Sequence, residues 1–249
     1  MKKRFIPATV ALLVLLSMTA MAATSGRYDG QIQQAVSQKL QKDKDFKNVT
    51  SSVEDGIVTL TGTVNIYQDK LDAQKKIKKL DHVNGVRNNI IVADANVTDS
   101  ELAQKLAKKI AYDRVGYRDN AFNYMAVSVN EGVVTLTGDV VWDPPLDSAL
   151  AIAARTPGVK DVVNEVTVLP TSSFDDSIRA RTARAIYRDS VLSRYAIDPV
   201  HPIRIVVDNG HVTLYGSVAS TMDKDLAGIR ASGVAGSFSV VNKLVVDNS

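Results

Sequence analysis

The stretch Gly56-Ile-Val-Thr-Leu-Thr-Gly62 recurs as Gly132-Val-Val-Thr-Leu-Thr-Gly138 and again as Gly210-His-Val-Thr-Leu-Tyr-Gly216, at offsets of 76 and 78 residues. Inside each block the side chains alternate. Val58/Leu60, Val134/Leu136 and Val212/Leu214 fall on one face of an extended segment, and Thr59/Thr61, Thr135/Thr137 and Thr213/Tyr215 fall on the other. A period of two marks a strand with one covered face and one polar face open to water or a partner. Each block is entered through Asp55-Gly56, Glu131-Gly132 or Asn209-Gly210. Glycine supplies the positive φ that a two-residue hairpin needs, and Asp or Asn tolerates it as neighbour. Gly56, Gly62, Gly132, Gly138, Gly210 and Gly216 are therefore assigned as structural turn glycines.

Outward from the block, the same elements come in the same order three times, as a repeat architecture requires. Before the turn lies a short alternating run, Val49/Ser51/Val53, Met125/Val127/Val129 or Ile203/Ile205/Val207, which reads as the first strand of the hairpin. Before that come Ile32/Val36/Leu40, Leu102/Leu106/Ile110 and Ile178/Thr182/Ile186, whose spacing of four places each set on one helical face. After the block a second helix carries Ala73/Ile77/Leu80, Ala149/Ala153/Thr156 or Ala227/Ala231/Val234. Alanine leads every set, as expected where a helix lies close on a sheet and a larger residue would not fit. Pro144-Pro145 suits the first turn of the middle copy. A last strand closes each unit: Asn88–Val92, Asn164–Val168 and Asn242–Val246. The expected fold class is α+β, built of tandem αββαβ units of about 70 residues, each a small three-stranded mixed sheet with two helices packed on one face.

The αββαβ order, the G-x-V-T-L-x-G block and the closing V-x-N-x-hydrophobic-x-V strand resemble the BON domain of bacterial envelope proteins over residues 27–94, 97–170 and 174–248. That resemblance implies association with phospholipid or membrane surfaces and with envelope or osmotic stress. It brings no catalytic residue to carry over, and it speaks to fold better than to function.

The 249 residues are 45% hydrophobic and 23% charged with no Cys, which excludes collagen-like, disordered and disulfide-stapled classes. The formal charge of +3 comes entirely from Lys2, Lys3 and Arg4. The rest is neutral, so no nucleic-acid partner is expected. Those three cations precede an uncharged stretch from Phe5 to Ala23 that ends in Ala20-Met21-Ala22, the layout of an export signal cleaved after Ala22. The competing reading is an uncleaved anchor, diluted by Pro7, Thr9, Ser17 and Thr19. Residues 1–22 are read as a signal peptide and the protein as periplasmic, without a lipoprotein cysteine and at most peripheral at the membrane.

Function must come from where the copies differ. From the first helix to the hairpin glycine there are 16 residues in copy one (Leu40 to Gly56), 22 in copy two (Ile110 to Gly132) and 24 in copy three (Ile186 to Gly210). The added segments hold Arg114, Tyr117 and Arg118 in copy two and Arg194 and Tyr195 in copy three. Arg beside Tyr suits a lipid interface, with the ring at headgroup depth and the cation on phosphate. The bland alternative is that the tyrosines pack a longer helix end. On the first helix of copy three, Arg181, Arg184 and Arg188 form a further stripe, and copy one has Lys75, Lys76, Lys78 and Lys79 on its second helix. Either run is read as an anionic-headgroup surface or as a solvated face.

Catalytic patterns are missing from the sequence. Cys is absent, His82, His201 and His211 do not cluster, and no H-E-x-x-H, G-x-S-x-G or Walker motif is present. Asp175-Asp176 and Asp99/Glu101 read as helix-start carboxylates. The expected protein is no enzyme, needs no cofactor or metal, and has no small-molecule substrate. Its expected partners are an anionic phospholipid membrane surface or, as the alternative, envelope proteins held by the open Thr-bearing sheet faces in the manner of a scaffold or chaperone-like factor.

Overall fold

A computed structural model describes residues 26–113, 119–196 and 202–247. The signal assigned to residues 1–22 lies outside them, as do Arg114, Tyr117, Arg118 and His201.

Repeat one runs α1 (Asp29–Gln41), β1 (Val49–Glu54), β2 (Ile57–Val64), α2 (Tyr67–Ile77) and β3 (Gly85–Val92). Repeat two runs α3 (Asp99–Tyr112), a short α4 (Asp119–Phe122), β4 (Tyr124–Asn130), β5 (Val133–Val140), α5 (Asp143–Ala154) and β6 (Asp161–Val168). Repeat three runs α6 (Ser173–Tyr187), a 3-10 turn (Leu192–Ala196), β7 (Arg204–Asp208), β8 (His211–Tyr215), β9 (Ser217–Val218), α7 (Thr221–Ser232), β10 (Ser239–Asn242) and β11 (Val245–Val246). The sheet orders are β1-β2-β3, β4-β5-β6 and β7-β8-β10, with β9 pairing β11 as a short extension. The strands joined by a two-residue turn are antiparallel and those joined across a helix are parallel, because only a long crossover can return the chain in the same direction. Each repeat is the mixed-sheet α+β unit expected.

The cores form where the helical stripes meet the apolar strand faces. Ile32, Val36 and Leu40 pack with Val58, Leu60, Ile77 and Ile90 in repeat one, and Ile178 and Ile186 with Ile205, Val207, Val212 and Leu214 in repeat three. Ala73, Ala149 and Ala227 are all fully buried, consistent with close helix-on-sheet approach.

Two kinds of glycine fix the hairpins. Asp55-Gly56, Glu131-Gly132 and Asn209-Gly210 all have φ between 48° and 80°, the type I′ geometry that matches strand twist. Gly62, Gly138 and Gly216 have a different task from the turn assigned to them. They lie at or beside the strand, at φ 112°, 128° and 122°, where a Cβ would come within 2.0, 2.1 and 2.4 Å of the carbonyl oxygens of Asn48, Tyr124 and Pro202. Backbone contact excludes a side chain there.

The helix-start carboxylates lie in the first turns of their helices, but the aspartates that open each repeat do more than cap. Asp29 accepts hydrogen bonds from the amides of Asp55 and Gly56, at 2.9 and 2.8 Å. Asp99 accepts from Glu131 and Gly132, and Asp175 from Asn209 and Gly210 at 3.1 and 2.8 Å. Each clasps the hairpin turn of its own repeat. Helix capping falls to Ser172, which accepts from the Asp175 amide, and to a Thr98–Glu101 capping box. The closing-strand asparagines tie that strand to the second helix: Asn88 donates to Lys70 O and Asn242 to Lys224 O.

The chain divides into two compact units between Ala95 and Asn96, one holding repeat one and the other holding repeats two and three. Within the second unit, Phe122 packs against the repeat-three core. Tyr124 stacks on Tyr215 with centroids 3.8 Å apart and planes 6° from parallel, and Arg204 donates to Asn123 O at 3.2 Å. Val206, on the same sheet face as Thr213, is only 5% exposed. The open face expected for repeat three is thus partly covered.

Candidate functional site

Ser172 starts α6, and the buried run Ile178, Thr182 and Ile186 turns that helix face to its sheet. Arg181, Arg184 and Arg188 project from the other side, and all three are exposed. Arg181 reaches the loop after α7: its Nη2 lies 3.1 Å from where a Cβ on Gly236 would sit. Arg188 is the C-cap residue of α6.

Arg194 and Tyr195 do not form an outward-facing pair. Tyr195 is 7% exposed and belongs to the core. Its hydroxyl donates to Asp223 at 2.8 Å and accepts from the Ala219 amide at 2.8 Å. Arg194 donates to Asp223 and to the Tyr195 hydroxyl, and its guanidinium lies 5.0 Å from the Tyr195 ring centre. Burial pushes the Asp223 carboxyl up, but hydrogen bonds from Tyr195, Ser220 and Arg194 outweigh it and hold it below the usual carboxylate range. This knot pins the longer repeat-three segment to the start of α7. The sequence separation of 28 residues between Tyr195 and Asp223 hides it from local pattern.

Sequence spacing missed an aromatic pair at the hairpin end of repeat three. Phe174 is 46% exposed and Phe238 is 69% exposed. Their ring centroids are 5.8 Å apart, and His211 meets Phe238 edge-on. The two rings flank the turn, since a Cβ on Gly210 would lie 2.7 Å from Phe238 and 3.2 Å from Phe174. Phe174 stands four residues before Ile178, so the step-of-four stripe runs one position past the core into solvent. That extension was the available signal. Arg181 of α6, whose guanidinium reaches Gly236, brings a cation to the loop two residues before Phe238. Repeat one presents a different arrangement: Tyr28 stacks flat on His82 at 3.9 Å, with Arg27 6.0 Å from the Tyr28 ring.

Of the repeat-one lysines, Lys76 pairs with Asp43 and lies over the Phe46 ring at 4.7 Å. That hydrogen bond, with one from the Asp45 amide, lowers the Asp43 carboxyl. Lys75, Lys78 and Lys79 are exposed. Among the described residues no group of three or more His, Asp or Glu is placed to hold a metal ion.

A family model described as the BON domain matches residues 28–94, 98–170 and 175–248. A protein of Anaplasma centrale described as "Uncharacterized protein in gshII 5'region" is 32% identical over 128 residues, covering 49% of this chain and 82% of that protein. Two structures of CdsD, a structural protein of the type III secretion system of Chlamydia trachomatis, share 14% and 16% identity at a TM-score of 0.25. The first covers 86% of this chain and 91% of its own, and the second, the C-terminal domain, covers 85% and 95%.

Proposed function

The chain belongs to the BON domain family, and from that premise we propose that it is an exported envelope protein that docks on anionic phospholipid surfaces through the hairpin end of repeat three. The family is generally non-catalytic and is associated with phospholipid-binding envelope proteins. The observation that supports this docking surface is the exposed Phe174/Phe238 pair, with the Arg181 guanidinium at Gly236 on the loop that leads to Phe238. Partly inserted phenyl rings each contribute on the order of 1 kcal/mol, and each basic residue close to an anionic surface adds about 1 kcal/mol. Neither is sufficient alone, since stable attachment takes two signals. Arg184 and Arg188 extend the positive face along α6.

The attachment proposed is peripheral; among the described residues no helix is long and apolar enough to cross a membrane. A periplasmic location is part of this proposal, supported by the export signal read at residues 1–22, and support of the envelope under osmotic stress is the role proposed. Flotation with neutral and anionic vesicles at low and physiological salt tests the reading. Binding confined to anionic vesicles, weakened by salt and by Arg184→Glu with Arg188→Glu, is expected. Absence of flotation under every condition overturns it.

A second reading, an envelope-protein scaffold, is favoured by repeat one alone. Its outer sheet face keeps Thr50, Thr61 and Thr63 exposed and Ile91 66% exposed, whereas the matching face of repeat three is partly covered by repeat two.

A further inference from the structure

The junction of repeats two and three encloses a cleft of about 770 Å³, within the range of small-ligand sites. It is distinct from the hairpin end of repeat three. One side is apolar, formed by Ala107, Ile110 and Ala111 of α3 with Met125 and Val127 of β4. The stacked rings of Tyr124 and Tyr215 line it as well. Three cations border it: Lys108, Arg204 and Lys243. Among the described lining residues the one acid is Asp113, which accepts a hydrogen bond from the Ser148 hydroxyl. Lys243 lies over the Tyr215 ring, 5.2 Å from its centre, which steers the ammonium toward the rings.

Asn123 supplies an independent sign. It lines the cleft at 3% exposure. Its Oδ1 accepts from the Val141 amide at 2.8 Å, while its Nδ2 is buried with no hydrogen-bond partner. A buried donor without an acceptor is destabilising, and a ligand oxygen that accepts from it would recover that loss.

An apolar wall, aromatic rings, two exposed lysines and a spare donor together define the ligand's chemistry. We propose that the cleft binds a single-chain anionic amphiphile, an alkyl chain that ends in a carboxylate or a phosphate. The chain lies along α3 and β4, and the anionic end meets Lys108 and Lys243. The site is built by two repeats, so repeat one has no counterpart within itself.

Isothermal titration of the full chain with dodecanoate, dodecyl phosphate, dodecanol and inorganic phosphate, without vesicles and below micelle formation, tests this. Dodecanoate and dodecyl phosphate are expected to bind saturably at one site, dodecanol at least tenfold more weakly, and inorganic phosphate not detectably. Lys108→Glu with Lys243→Glu is expected to weaken dodecanoate at least tenfold. Ala107→Trp, made at an exposed position that narrows the cleft, is expected to abolish binding with the circular dichroism spectrum unchanged. Phe174→Ala with Phe238→Ala is expected to leave dodecanoate affinity as it was while reducing vesicle flotation, which separates this site from the membrane-docking surface. The proposal is overturned if well-folded protein shows no saturable dodecanoate binding, if both cleft variants bind as the parent does, or if inorganic phosphate binds as tightly as dodecyl phosphate.

Discussion

Thr50 and Thr61 in repeat one and Arg204 and Tyr215 in repeat three occupy the same cross-strand pair, next to the glycine that meets the backbone. In repeat one the two hydroxyls hydrogen-bond to each other at 2.9 Å on an exposed face. In repeat three the arginine reaches Asn123 O of repeat two and the tyrosine stacks on Tyr124. The same ladder rung thus lies on a solvated face in one repeat and in a junction lining a cleft in the other. The scaffold beneath is unchanged: both repeats keep the type I′ turn, the aspartate that clasps it and the glycine under backbone contact. What is common makes the fold, and what differs sets which surfaces remain available.

The shared scaffold is where substitution is expected to cost most. Gly62→Ala forces a Cβ onto Asn48 O at a φ that L-residues rarely adopt, and a loss of about 3 kcal/mol or more is expected for repeat one. Gly216→Ala should do the same to repeat three, read by urea unfolding with amide exchange resolved by repeat. A cost under about 1 kcal/mol at either position would mean the two repeats do not share this constraint. Removing the clasp should rank next. Asp175→Ala strips the acceptor from a buried Gly210 amide and is expected to cost about 2 kcal/mol, whereas Asp29→Ala, whose bond to the Asp55 amide is exposed, is expected to cost about 1 kcal/mol.

Smaller effects sharpen the contrast between the rungs. A double-mutant cycle of Tyr124→Ala and Tyr215→Ala should return a coupling of about 1 kcal/mol. The corresponding cycle of Thr50→Val and Thr61→Val should return about 0.5 kcal/mol or less. Equal couplings would remove the distinction between junction and open face. The smallest effect is expected at Asp139, on the outer face of β5, where Tyr124 is its cross-strand neighbour. Burial, then the Asp208 charge, raises its carboxyl above the usual range, with Lys243 opposing. A group with a raised folded value binds its proton more readily folded, so its favourable contribution is present in acid and is lost as pH rises through that value. Asp139→Asn should therefore raise the melting temperature of the repeat two–three unit at neutral pH and give no gain at about pH 3. A gain of equal size at both pH values would contradict this origin.

The hairpins, the helical stripes and the buried alanines could be read from sequence because they are periodic and local. Three features could not. Asp99 and Asp175 sit where helix-capping carboxylates sit, and only the fold shows that their oxygens face turns 33 to 35 residues away. Arg194 and Tyr195 have the composition of an interfacial pair, but Asp223 binds both, with Tyr195 buried and Arg194 tied to it from the exposed side. Phe174 continued a legible stripe past the core, whereas its neighbour Phe238 belongs to no stripe and arrives through the tertiary fold. The cleft between repeats two and three was invisible for the same reason, since its lining comes from two repeats.

The proposed docking of repeat three, and not repeat one, is tested most directly by placing a single tryptophan at each hairpin end. With the native tryptophan removed as Trp142→Phe, Phe238→Trp and Tyr28→Trp are made separately and mixed with anionic vesicles carrying bromine-labelled acyl chains. Strong quenching of the tryptophan at position 238, reversed by salt, and none at position 28 is the result predicted. Quenching at position 28 alone, or at neither position, would contradict docking through Phe174, Phe238 and Arg181.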